Sequence, residues 1–157
     1  MSFKNPSKNN DFLVQHINIM RYSFEYFTGK QLGSPKLSDT ENAEELYNAP
    51  FALLTHTADD DPIFNYANLT AQKLFELSWY DITKLPSRKS AESPNQNDRN
   101  SLLAKVAENG FVDNYTGIRI TANDKKFIIK KGIIWNLIDK NGNYYGQGAK
   151  FKFWEFL

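Results

Sequence analysis

Leu13, Ile17, Met20, Phe24 and Phe27 recur at steps of four, three, four and three. That spacing predicts one apolar stripe of an α-helix. Asp11 stands ahead of it as a candidate N-cap, its carboxylate suited to the positive helix end. Gly29 stands where such a helix stops. Phe12, Ile19 and Tyr26 widen the apolar face. The helix therefore packs on its own domain, with pairing to a second copy as a further use. Two heptads are too few for a free coiled coil. A loop over 30–40 follows, then a short helical piece from Glu41 to Tyr47 closed by Pro50. FALLTH, residues 51–56, reads as a buried strand. ADDDP, residues 58–62, reads as a turn, and Ile63 to Tyr66 returns as a second strand. Asn68 then caps a helix beginning at Leu69, with Ala71, Leu74 and Phe75 on one face. Ser78 opens another short helix, with Asp81 three places on in a capping-box pattern, and Pro86 ends it. A third helix is predicted from Asp98 to Asn109, with Leu102, Leu103 and Val106 inward and Gly110 as its stop. Three strands follow over 111–122, 126–138 and 144–153. Asn123-Asp124 and Asn141-Gly142 separate them, the second a strong hairpin signal.

Composition bounds this picture. The 157 residues suit one domain, and a chain of that size buries a core without crosslinks. Nineteen basic and 18 acidic residues leave a net charge of +1, so no nucleic-acid partner is implied. Cysteine is absent, which excludes disulfides, thiol nucleophiles, thiolate metal sites and cysteine-linked chromophores. That fits a cytoplasmic protein. No apolar run approaches the roughly 20 residues that span a bilayer, and the polar N-terminus, MSFKNPSKNN, has no signal-peptide core. Residues 1–10 read as a disordered tail. The run Asp59, Asp60, Asp61 lacks the alternation, glycine and distal glutamate of a calcium loop, so it reads as a solvated turn.

Two strands, a cluster of short helices and three antiparallel strands form the element order of a PAS domain. "PIFNYANLTAQKLFELSW" resembles the PAS stretch in which a strand ends at an asparagine and a helix follows. "DKNGNYYGQG" resembles its last hairpin. "LYNAPFALLTH", "LPSRKSAE", "ENGFVDNYTGIRI" and "IIWNLID" are similar to small bacterial members of the PAS-like MEKHLA domain family, "LPSRKSAE" most specifically. The resemblance implies an α+β fold: a five-stranded antiparallel sheet in the order 2-1-5-4-3, with short helices on one face and an N-terminal helix. It divides the chain into a tail (1–10), the N-terminal helix and connecting loop (11–42), and the PAS-like MEKHLA domain (43–157). It implies a non-catalytic sensory module that binds a small molecule or a signalling protein and acts through a homodimer. A fold does not by itself settle a function. A small enzyme using a carboxylate such as Glu92 or Asp113 in an aromatic cavity, and a purely structural dimerisation module, stand as alternatives.

Candidate chemistry is sparse. His16 and His56 read as hydrogen-bonded structural residues sooner than as metal or haem ligands. No nucleophile elbow or phosphate-binding glycine loop is present. No cofactor is named by the sequence, and the absence of cysteine argues against flavin adduct chemistry. In the loop Ser87, Arg88, Ser90 and Glu92, a guanidinium, a carboxylate and two hydroxyls could clamp an anion or tie the loop to the sheet. Alternation groups Tyr115, Gly117 and Arg119 in one strand, and Ile129, Lys131, Ile133 and Trp135 in the next. Registered on PAS relatives, the side with Arg119 and Trp135 faces the helices. Arg119 is then a buried cation in need of a partner, either a ligand carboxylate or Glu92. The cavity is expected between the sheet and the helices of residues 69–109, walled by Phe75, Trp79, Tyr115, Arg119 and Trp135. Asn136 and Gln147 supply further polar contacts. Trp79, Trp135 and Trp154 also read as core or interface anchors. "KFKFWEF", residues 150–156, reads as an association edge or a cap on the first helix.

Overall fold

Asn68 makes the first corner of the fold. In the computed structural model, which describes residues 3–157, this side chain is fully buried. Its carbonyl accepts from the Leu53 N–H (3.1 Å) and the Ala71 N–H (3.0 Å). Its amide donates to the carbonyls of Leu46 (3.0 Å) and Phe51 (2.8 Å). All four bonds available to an asparagine side chain are thus made. One residue ends a strand, caps a helix and pins the preceding segment.

That segment begins with α1 (Val14–Thr28) and α2 (Asp39–Tyr47). The hairpin of β1 (Ala52–His56) and β2 (Phe64–Ala67) follows, then α3 (Leu69–Phe75) and α4 (Trp79–Ile82). A 3-10 turn over Ser87–Ser90 leads to α5 (Ser93–Asn109). The chain finishes with β3 (Phe111–Ile120), β4 (Lys126–Ile138), β5 (Tyr144–Phe151) and β6 (Phe153–Phe156). The sheet is antiparallel in the expected order β2-β1-β5-β4-β3. Ser78 caps α4 as expected, accepting from the Asp81 N–H.

The sixth strand was not expected. Residues 150–156 divide between two strands: β5 ends at Phe151, and after Lys152 β6 pairs Phe127–Lys130 of β4. A 2.7 Å ion pair between Lys130 and Glu155 accompanies the register.

The two faces carry separate cores. On one, α1 and α2 pack Ile17, Met20, Phe24 and Leu46 against Leu53, Tyr66, Trp135 and Leu137. On the other, α3, α4 and α5 pack Leu74, Phe75, Ile82, Leu102 and Val106 against Leu54, Phe127, Ile129, Ile134 and Phe151.

The N-terminus from Phe3 onward has partners in the domain. The Phe3 carbonyl accepts from Trp79 Nε1 (3.0 Å), the Phe3 ring lies 4.9 Å from His16, and Asn5 Oδ1 accepts from the Tyr47 hydroxyl (2.8 Å). Asp11 is not the cap of α1. Ser7 caps a 3-10 turn, and Asp11, Phe12 and Leu13 then adopt left-handed φ of 52°, 54° and 57° before the helix starts at Val14. Gly29, at φ 72°, ends α1 as expected.

Candidate functional site

Between the sheet and the group formed by α3, the Ser87–Ser90 turn and α5 lies a cavity of about 70 Å³. Its wall is mainly apolar, built by Leu54, Phe64, Phe75, Ile129, Ile134 and Phe151. Its polar lining comes from His56, Ser87, Ser90, Arg99, Tyr115, Arg119 and Gln147. A wider surface recess of about 300 Å³, with Asn95 and Asp98 in its wall, shares Tyr115 and Arg119 with this cavity. The shared pair therefore separates the inner space from solvent.

His56 closes β1. Its Nδ1 lies 2.9 Å from the Thr57 carbonyl, so Nδ1 carries the proton and Nε2 is left as an acceptor. Nε2 is buried and makes no hydrogen bond, although the Gln147 side chain lies near enough to the ring to favour its protonated form. Burial is the main reason that the imidazole is held down at about 4, from an ordinary 6.5, and the nearby Arg99 cation adds to it. Gly146, at φ 145°, makes room for this strand end. A Cβ there would run into the His56 carbonyl.

Arg99 enters from α5 and is 5% exposed. It donates to Ser87 Oγ and, at 3.3 Å, to Asn100 Oδ1. Ser90 Oγ braces the same turn by donating to the Ser87 carbonyl (2.6 Å). Burial first, and the neighbouring Arg119 cation second, bring the Arg99 guanidinium down to about 10.

Arg119 enters from β3 and is 7% exposed. It donates to the Ile118 carbonyl (2.8 Å) and the Tyr115 hydroxyl (3.1 Å), with its guanidinium 5.6 Å from the Tyr115 ring centre. The missing side chain of Gly117 leaves room for that hydroxyl to cross the strand. Gln147 donates to the Leu103 carbonyl (3.1 Å) and to Asn136 Oδ1 (3.2 Å).

Among the described residues neither buried guanidinium has a carboxylate partner, and no Asp or Glu lines the cavity. Glu92, an expected partner of Arg119, pairs with Lys126 at 2.9 Å instead. Arg88 turns outward to Asp61 at 3.1 Å. Neither lines the cavity, whereas Ser87 and Ser90 of the same loop do. Asn136 sits one contact back from the cavity, holding Gln147 and donating to the Ala107 carbonyl (3.3 Å). Of the expected residues, Phe75, Tyr115, Arg119 and Gln147 line the space.

Trp79 and Trp135 do not. Trp135 lies on the α1 face, donating to the Met20 carbonyl (3.3 Å) and meeting Phe24 edge-on at 4.8 Å. Trp79 packs on Tyr66 and Tyr47. The reason for Trp135 is a bulge. Lys131 has φ 55°, and pairing with β3 shifts register around Tyr115 and Gly132. An extra residue in one strand reverses which side chains face each way. Phe127 and Ile129 therefore point to the helices before the bulge, and Ile134 and Asn136 after it.

His16 is structural, as its sequence context implied. It sits between Thr55 Oγ1 (2.9 Å) and the Tyr145 hydroxyl (3.2 Å), and burial holds it at about 4. No cluster of three metal-ligating side chains occurs among the described residues, and none of their helices is long and apolar enough to cross a membrane.

A family model described as "MEKHLA domain" matches residues 14–156, so the match takes in α1 as well as the sheet. No curated protein sequence matches the chain. Among solved structures, a PAS domain from Colwellia psychrerythraea is similar with a TM-score of 0.61 and 13% identity, covering 70% of this chain and 92% of that one. A light-oxygen-voltage domain studied with a flavin analogue gives 0.59 and 13%, covering 74% and 84%. The blue-light activated histidine kinase EL346 of Erythrobacter litoralis gives 0.56 and 20%, covering 69% of this chain and 34% of that one. At these identities the likeness shows the fold. A flavin does not fit the cavity seen here. A water needs about 10–15 Å³ on this scale, so 70 Å³ holds about five, far short of a three-ring system.

Proposed function

This chain belongs to the MEKHLA domain family and has the fold of PAS and light-oxygen-voltage sensory domains, and we propose that it is a non-catalytic, cytoplasmic sensory module that holds a small molecule behind its sheet. The observation that carries this reading is the unpartnered acceptor of His56, buried against a cavity that also takes in two guanidiniums. Buried polar groups are almost always satisfied, and a ligand would satisfy these. A solid core behind the sheet would have favoured a purely structural module. The enzyme reading lacks its base, since Glu92 is on Lys126 and Asp113 is exposed.

The signal leaves by self-association or by contact with a signalling protein. Tyr22 and Tyr26 stack at 6.2 Å on the outer side of α1, 56% and 65% exposed, and Phe153 and Phe156 are exposed on β6. Native mass spectrometry of the purified chain tests both parts. A retained small molecule and a dimer are expected. An empty protein that binds nothing from a small-molecule library would refute the ligand, and a monomer at high micromolar concentration would refute the homodimer.

A further inference from the structure

We infer that the ligand is a small hydroxycarboxylate, its carboxylate held between Arg99 and Arg119 and its hydroxyl donating to His56 Nε2. The inference rests on the reading of the cavity as a ligand site. Arg119 lies close enough to Arg99 to lower its charge affinity, both guanidiniums are at least nine-tenths buried, and neither is in an ion pair with a carboxylate among the described residues. Like charges in a low-dielectric site repel strongly, and uncompensated buried cations are unfavourable. A bound anion removes both costs. The guanidinium fork matches the two oxygens of a carboxylate.

The remaining polar group narrows the class. His56 has its Nδ1 proton on the Thr57 carbonyl, so Nε2 asks for a donor. An ammonium donor is disfavoured beside two arginines, which excludes amino acids and leaves a neutral hydroxyl. The rest of the wall is aliphatic and aromatic, which suits a short hydrocarbon chain and not an inorganic phosphate. A volume near 70 Å³ admits a molecule of only a few heavy atoms.

The test is titration calorimetry on the full chain at pH 7, in a buffer without carboxylates. The probes are lactate, 2-hydroxybutyrate and 3-hydroxybutyrate, with butyrate, 2-hydroxybutyramide and inorganic phosphate as contrasts. At least one hydroxy acid is expected to bind, about tenfold or more tighter than butyrate and with no saturable heat from the amide or phosphate. Arg99→Met and Arg119→Met should each weaken it about ten- to a hundredfold. If a Met variant fails to fold, Arg119→Lys, which keeps the charge and loses the fork, should still weaken binding measurably. His56→Leu should abolish the preference over butyrate. Binding of the amide as tightly as the acid, or binding untouched by both arginine substitutions, overturns the inference and leaves the sensory reading intact. Silence from every probe, with a neutral molecule retained in native mass spectrometry, does the same. Silence from every probe together with an empty cavity that no small molecule enters overturns both.

Discussion

Replacing Arg99 by methionine should make the ligand-free protein more stable. Methionine keeps much of the volume and removes the charge. The burial, with the neighbouring Arg119 cation, that brings this guanidinium down to about 10 is an unfavourable term in the native state. At about 1.4 kcal/mol per pKa unit, that term is on the order of 3 kcal/mol. Against it stands the charge-assisted bond to Ser87 Oγ, contributing about 1.5–3 kcal/mol, with the 3.3 Å bond to Asn100 Oδ1 adding little. The balance favours the variant by up to about 1.5 kcal/mol. For a domain of this length one kcal/mol moves Tm by about 2–4 °C, so a rise of up to about 6 °C is expected. The assay is far-UV circular dichroism on heating, with a urea titration alongside to confirm an unchanged slope. A Tm lower by several degrees would mean that Arg99 is an anchor of the Ser87–Ser90 turn. The reasoning that makes it a ligand-binding cation would then fail.

Three further substitutions or conditions probe the frame around the cavity. Asn68→Asp removes both amide donations and buries a charge, so it should cost about 3 kcal/mol or more in urea unfolding; a change under about 1 kcal/mol would show that the corner holds without it. Gly146→Ala drives a Cβ into the His56 carbonyl at a backbone angle few side chains adopt, so both stability and hydroxy-acid binding should drop, and unchanged binding would detach His56 from the site. Acid should destabilise the fold well above the carboxylate range. His16 and His56 titrate at about 4 in the native state and near 6.5 when unfolded, so between those values the unfolded chain binds more protons and stability falls as pH falls. Roughly 2 kcal/mol per histidine should be lost between pH 6.5 and 5. A urea midpoint that stays flat over that range contradicts the burial of both rings.

Much of the frame was legible because local signals and tertiary demands agree. Asn68, Ser78 and Gly29 end or begin elements where their side chains or backbone freedom predict. The PAS-like strand order followed from resemblance and holds. Two features were hidden for opposite reasons. Arg99 carried a signal that was misplaced. With Leu102, Leu103 and Val106 it occupies an inward stripe at spacings of three, four and seven, but starting the helix at Asp98 put it in the first turn, where α5 in fact starts at Ser93. A cation on such a stripe is a cavity marker only once the helix is long enough to have the stripe. The inversion of β4 carried no signal at all. Its pivot is Lys131, a residue seldom found at positive φ, and strict alternation across it put Trp135 on the wrong face.

The bulge also bears on why a cavity exists. Aromatics make up 15% of the chain, and Trp135 is among the largest of its fully buried side chains. Without the shift at Lys131, alternation from Ile129 would turn Trp135 toward α5. With it, Trp135 joins Phe24 and Met20 under α1, and the smaller Ile134 faces α5 instead. The void this leaves is lined by Arg99, Arg119 and His56; neither guanidinium is in an ion pair among the described residues, and His56 Nε2 has no hydrogen-bond partner. A packing defect ordinarily stays dry and apolar. Two cations and an open acceptor lining this space are the grounds on which we propose that a solute completes it.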